Sequence, residues 1–215
     1  MAAKKIVTQY MKANDRVLVI GGSGAVGSAV LQYAKLNKAG FIAAVSTQEE
    51  HCKALGADQV IDYRKDKWWL MPEFHKNKFN VVFDLVNGDN WTTGACSGKA
   101  IHRKGTYVAL LTGVATEMEL RNFWIDMPKF MFKFIGRMLY SRLHPRVPKW
   151  VIPEALALKD GDLRDLLQDV QEGRLKPILD PASPFEFTQD SVRKAMKLQK
   201  SIHAHGKVVI KIAEA

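Results

Sequence analysis

Three glycines at fixed spacing carry the clearest chemistry in this chain. Gly22, Gly24 and Gly27 form G-x-G-x-x-G, with Ser23, Ala25 and Val26 between them. This spacing suits a dinucleotide phosphate: one glycine lets the chain turn tightly, one lets backbone approach the pyrophosphate, and one lets a helix pack closely on a strand. The helix N-terminus that follows offers unpaired N–H groups and a positive dipole end to the phosphates. A glycine turn can also serve structure alone, so the flanking sequence decides its weight. Val17 to Ile20 is a continuous apolar run, and Val26, Ala29, Val30, Tyr33 and Ala34 recur at helical spacing. Strand, turn and helix thus stand in the order the motif requires.

Other chemistry is scarce. The six histidines lack metal-ligand spacing; His203 and His205, two apart before a strand, read as a turn, and no metal site is expected. Cys52 and Cys96 stand far apart without a C-x-x-C partner, which argues against a disulfide framework and fits a reducing compartment. Ser23 belongs to the glycine turn, and no G-x-S-x-G nucleophile pattern occurs. Tyr107 lies inside an expected strand and reads as packing. No residue stands out as a proton donor, so the catalytic residues are left open.

The elements that must position the turn follow from periodicity. Phe41–Val45, Gln59–Asp62, Asn80–Val86 and Thr106–Leu111 read as further strands, with helices expected between them, one from about Asn90 to Ile101. Apolar strands alternating with helices imply an α/β fold: a doubly wound parallel sheet, the Rossmann fold, with helices on both faces. Ligands of such sheets bind at the carboxyl ends of the strands, which places Val86, Asn87, Leu111 and Thr112 near a nicotinamide. The second strand ends at Ser46 and Thr47. A carboxylate there would grip a free ribose 2′-hydroxyl and repel a 2′-phosphate, so hydroxyls favour NADPH over NADH. Glu49 and Glu50 follow, and read as first-turn residues stabilising a helix dipole. The run Arg64–Lys67 could reach the 2′-phosphate or be a solvated loop.

Further along, Met127, Phe130, Met131, Phe134, Ile135 and Met138 share one helical face, and Lys129, Lys133 and Arg137 another. Covering a core is the favoured use of such a helix, a hydrophobic partner surface the second; contact with an anionic membrane surface is not favoured, and charges at every turn exclude a span. His144–Pro148 reads as an exposed link. Asp162 is expected to cap a helix carrying Leu163, Leu166, Leu167 and Val170, ended by Gly173. Leu175–Leu179 is expected as an edge strand, Thr188 as a cap of a helix with Val192, Ala195 and Met196, and Lys207–Ile212 as the last strand. At 215 residues the chain divides naturally into a dinucleotide-binding domain, residues 1–180, and a tail, residues 181–215. A net charge of +10 permits anionic partners. No nucleic-acid module or interleaved aromatic-basic platform appears, so nucleic acid is not an expected partner. The N-terminus lacks a secretory core, and a cytoplasmic or organellar-matrix location is expected.

These landmarks, in this order, resemble the zinc-free branch of the medium-chain dehydrogenase/reductase superfamily, the quinone-oxidoreductase-like proteins, and among them the reticulon-4-interacting-protein-like members. Arg16–Gly27 resembles the strand-turn-helix fingerprint, with Ala25 where glycine is usual and Gly22 where alanine is usual. Lys53–Asp58 through Val60–Tyr63 is similar to a second signature, in which the tyrosine, here Tyr63, helps hold the 2′-phosphate. Asp84-Leu-Val-Asn-Gly88 is similar to the D-x-V-G-G turn, with Asn87 departing from glycine. Glu172–Pro177, Pro184-Phe185 and His205–Ile210 match the closing segment. The resemblance implies an NADPH-dependent oxidoreductase of quinones or enones, or the cofactor-binding part of one; a Rossmann domain that binds partners without catalysis is the alternative. Members of that branch begin with a GroES-like substrate domain, to which the closing segment returns, whereas about fifteen residues precede the first strand here. Apolar surface on Phe185, Phe187 and Val208–Ile212 is therefore expected to be exposed, folded back, or paired in a homo-oligomer.

Overall fold

The computed structural model describes residues 1–86, 88–110, 123–153, 161–201 and 204–212. Helix α1 (Ala2–Tyr10) leads into strand β1 (Arg16–Ile20), followed by α2 (Gly27–Leu36), β2 (Phe41–Val45), α3 (Glu49–Ala54), β3 (Gln59–Ile61), α4 (Pro72–Lys76), β4 (Phe79–Asp84) and β5 (Ile101–Ala109). Then come α5 (Phe123–Leu143), β6 (Lys149–Val151), α6 (Asp162–Gln171), β7 (Phe185–Glu186), α7 (Gln189–Lys200) and β8 (Ile210–Lys211). Strands β1 to β6 form one parallel sheet in the order β3-β2-β1-β4-β5-β6, and β7 pairs with β8 apart from it. The order reverses between β1 and β4, which opens a crevice at their carboxyl ends.

Alternation along the strands builds two cores, one on each face. Val17 and Val19 of β1 point to one face with Ile6, Val7, Leu31, Ala34 and Cys52; Leu18 and Ile20 point to the other with Trp68, Phe74, Trp91 and Trp150. Burying Ile6 and Val7 completely is worth roughly 1.5–3 kcal/mol each, which is why the amphipathic start of the chain stays against α2. A buried carboxylate ties the same region together. Asp169 of α6 accepts from Lys4 Nζ at 2.7 Å and Tyr33 Oη at 2.8 Å, and pairs with Arg174 at 2.9 Å. Burial pushes this carboxyl up, but the hydrogen bonds from Lys4 and Tyr33 and the nearby cations leave it below its ordinary value.

Several expectations change. The helix expected from Asn90 to Ile101 is two 3-10 turns, Gly88–Asn90 and Ala95–Ser97. The reason is steric and conformational: a Cβ on Gly94 would lie 2.5 Å from Trp68, and Gly98 is left-handed at φ +66°. Strand β5 begins at Ile101, five residues early. A sixth strand, Lys149–Val151, follows the expected exposed link, and Val147 within that link is buried. Leu175–Leu179 is no strand; Leu179 alone bridges to Lys207. The cap of α6 is Gly161 rather than Asp162, which sits in the first turn and pairs with Lys5. Leu163, Leu167 and Met196 are exposed, while Leu166 and Val170 pack on the core.

Helix α5 splits its apolar side. Phe134 and Met138 pack on the core, but Met131, Phe132, Ile135, Leu139 and Leu143 are exposed, so core covering accounts for only part of the pattern. The side chains of Met127, Lys129, Phe130 and Lys133 lie outside the described ones. Among the described residues no helix is long and apolar enough to cross a membrane. The tail is tied back by backbone: Asp180 N donates to Lys207 O, Lys207 N to Ile178 O, and Thr188 caps α7 by accepting from Ser191 N.

Candidate functional site

The glycine turn closes the carboxyl end of β1, and each of its glycines answers to a different demand. Gly21 adopts φ +85°, so the left-handed turn falls there and not at Gly22. Its N–H and that of Gly22 donate to Val45 O, which fastens the turn to the tip of β2. Gly22 is packed: a Cβ would stand 3.0 Å from the Ala44 Cβ, and 3.4 Å from the Cys52 sulfur and Leu31. Gly27, the first residue of α2, is bound most tightly, since a Cβ there would lie 2.1 Å from Gly21 O. Helix α2 therefore starts directly against the turn, with no acidic residue in its first turn to compete for an anion.

Gly24 is different. A Cβ at this position would meet only Gly21 O, at an ordinary 3.5 Å, and its φ is not left-handed. Neither packing against the described residues nor backbone conformation requires a glycine here, so the backbone at Gly24 is open to close approach. The residues present fit a dinucleotide phosphate at this cradle: open backbone at Gly24, the N-terminus of a ten-residue helix, and the Ser23 hydroxyl beside it.

The neighbouring strand tips converge on the turn. Ser46 is buried; its hydroxyl bonds Ser23 Oγ at 2.9 Å and accepts from Gln48 N at 3.0 Å, so it fixes the turn against β2. Thr47 is partly exposed beside it. Glu49 is tied to Lys53 at 2.7 Å, a bond that lowers the Glu49 pKa. After β3, Tyr63 is 47% exposed, and Arg64 is held by Asp62, whose carboxyl that guanidinium lowers to about 2. Across the crevice, Val86 is 48% exposed, and its Cγ2 stands 2.7 Å from where a Gly21 Cβ would be. Sequence reasoning thus placed Ser23, Ala25, Val26, Ser46, Thr47 and Val86 around one turn; Asn87, Leu111 and Thr112 lie outside the described residues.

Beneath Val86 sits a buried polar pair. Tyr107 Oη donates to Asp84 Oδ2 at 2.5 Å, and Val86 N donates to Asp84 Oδ1 at 3.1 Å. Burial and the carboxylate both push the Tyr107 phenol well up, so it stays protonated, and its bond to Asp84 positions the β4 tip. The Cys52 and Cys96 thiols are also pushed up by burial, which makes them poor nucleophiles.

Two histidines stand near the β2 tip: His51, which the sequence did not single out, and His205, read there as part of a turn. His51 Nε2 lies 3.4 Å from Ser28 Oγ, and His205 Nε2 lies 3.4 Å from Gln48 Nε2. His205 Nδ1 is buried and makes no hydrogen bond among the described residues. Burial, and then His205, lower the His51 pKa. No local signal joins residues 157 positions apart; the bond from His205 N to Asp180 Oδ2, at 2.8 Å, acts with the Asp180–Lys207 and Lys207–Ile178 backbone bonds to bring the tail here.

Comparison with known proteins agrees with this geometry. Residues 55–210 match the family model described as zinc-binding dehydrogenase. The chain is 31% identical to the chloroplastic NADPH-dependent alkenal/one oxidoreductase of Arabidopsis thaliana, covering 97% of itself and 44% of that protein. It is 33% identical to 2-methylene-furan-3-one reductase of Solanum lycopersicum, over 90% of itself and 39% of that protein. Among solved structures, the quinone oxidoreductase of Coxiella burnetii superposes with a TM-score of 0.69 at 22% identity, over 99% of this chain and 57% of that one. The Escherichia coli quinone oxidoreductase complexed with NADPH superposes at 0.67 and 18% identity, over 97% and 62%. These structures establish the shared fold. The chain spans about half the length or less of the two curated relatives.

Proposed function

The chain belongs to the zinc-binding dehydrogenase family, within the medium-chain dehydrogenase/reductase superfamily, and from that we propose that it binds NADPH as a quinone or enone oxidoreductase, or as the cofactor-binding part of one. The observation that carries the proposal is Gly24, a glycine in the turn that neither its φ nor packing against the described residues requires, and that leaves backbone open to a phosphate. In this reading the pyrophosphate rests on Gly24, Ala25 and Val26 at the start of α2, with Ser23 beside it. The adenine ribose and its 2′-phosphate lie by Ser46, Thr47 and Tyr63, and the nicotinamide points toward Val86, Asn87, Leu111 and Thr112. When bound, NADPH supplies a hydride to a small quinone or enone. The chain's own part is to bind and orient: β1, α2 and the β2 tip hold the phosphates, and the Tyr107–Asp84 pair keeps Val86 against the crevice.

Fluorescence titration with NADPH and NADH tests the reading. Binding by NADPH at least tenfold tighter than by NADH is expected; no binding at millimolar NADPH overturns it. A second reading, a domain that binds the cofactor without turnover and docks partners, draws on the exposed face of α5, where Phe132 and Leu143 are about four-fifths exposed. Association of copies through the tail draws on exposed Phe187 and Ile212 beside β7 and β8.

A further inference from the structure

The opposite end of the sheet carries a second concave surface. A cavity of about 800 Å³ opens at the amino-terminal ends of β1, β4 and β5. Three separate stretches of chain bring cations to it: Lys12 from the turn after α1, Lys76 from the end of α4 with Lys78 from the link to β4, and Arg103 and Lys104 from β5. His102 joins them. Against these stands one carboxylate, Asp15, whose Oδ2 already accepts from Lys12 N at 2.7 Å. None of the five cations forms an ion pair with a described residue, although Lys78 Nζ donates to Gly98 O at 2.9 Å.

The fold builds this arrangement. Ile101 pairs with Phe79 and Thr106 with Val81, so β5 takes five steps where β4 takes two. The surplus bulges outward, leaving His102, Arg103 and Lys104 exposed, and a bulge of this kind re-aims side chains instead of continuing the ladder. Gly105 lets the strand return: a Cβ there would stand 2.9 Å from Asn80 O. The floor is fixed by Arg16 N donating to Asn80 Oδ1 at 2.8 Å. Like charges lining one groove repel one another, and a multivalent anion relieves that repulsion.

We propose that this groove is a binding site for a small anion bearing clustered phosphates. A concave space of this size encloses a small molecule, whereas a flat lipid surface would touch only its rim. The bases of a nucleic-acid strand would find little stacking surface there, since among the described residues lining it Tyr10 and His102 alone carry rings. The site lies across the sheet from the glycine turn, about 17 Å along a five-residue strand, so the two are filled independently.

Inorganic tripolyphosphate is the probe, with sulfate at matched ionic strength as the control, followed by calorimetry and thermal melting on the whole chain. One tripolyphosphate per chain is expected, raising the melting temperature by several degrees beyond sulfate and undisturbed by saturating NADPH. Arg103→Glu with Lys104→Glu should weaken it at least tenfold and leave NADPH affinity unchanged; Arg103→Gln with Lys104→Gln, milder for folding, should weaken it less. Stabilisation no greater than sulfate's, full binding by the charge-reversed variant, or competition by NADPH would each overturn the proposal. So would binding of an oligonucleotide or of phosphatidylserine vesicles without tripolyphosphate binding.

Discussion

The two ends of the main sheet are made of different materials. At the carboxyl end the surface is backbone and hydroxyl: the glycine turn, Ser23 and Ser46, with Glu49 and Arg64 already paired. At the amino end it is five side-chain cations facing one occupied carboxylate. A surface made of backbone is fixed by sterics, so a single methyl decides its fate. A surface made of long charged side chains is fixed by Coulomb forces, so it tolerates substitution and responds to salt. Mutations at the two ends should therefore differ in size and in what modulates them.

The largest effect belongs to Gly27→Val. Its Cβ would lie 2.1 Å from Gly21 O and 2.9 Å from Gly22 C, and backbone cannot yield as a side chain can. A loss of more than about 3 kcal/mol is expected in urea denaturation, enough to unfold much of a marginal domain. Wild-type stability would mean that the turn does not pack on α2 as described. Next is Tyr107→Phe, which strips a donor from buried Asp84 and should cost about 1–3 kcal/mol. A neutral outcome would show that Asp84 is satisfied without it.

Smaller effects separate the ends by their response to medium. Burial and His205 hold the His51 pKa below its ordinary value, so the unfolded chain binds the extra proton. Stability from neutral His51 is complete above about pH 6.5 and declines as pH falls below it, by a few tenths of a kcal/mol for this partly exposed ring. His51→Gln should flatten that limb of the stability–pH curve; an unchanged limb would remove His51 from it. At the amino end, Lys104→Glu should stabilise by a few tenths of a kcal/mol at low salt and by nothing at 1 M salt. A gain that persists in high salt would point to packing rather than charge.

The same contrast explains what was legible in the sequence. The β1–turn–α2 unit is local: an apolar run, three glycines and a helical stripe lie within twenty consecutive residues, and it is one of several motifs along the chain that together carry the resemblance to quinone-oxidoreductase-like proteins. Even there the left-handed residue was misplaced by one, because Gly21 and Gly22 look alike until the turn's bonds to Val45 are seen. The three-residue strand β6 is too short for periodicity, and prolines at 145 and 148 masked it. The Asn90–Ile101 helix failed because packing under Trp68 overrode propensity. The basic groove and the approach of His205 to Gln48 were invisible, since their members meet only through topology.

Gly24→Ala tests the central claim most directly, by thermal melting and NADPH titration on the same preparation. With only Gly21 O in reach of the new methyl, stability should stay within about 0.5 kcal/mol of the parent or rise slightly through reduced unfolded-state entropy. NADPH affinity should fall at least tenfold. A variant that melts well below the parent yet binds NADPH as tightly would show that Gly24 serves the fold and that the cofactor does not rest on it.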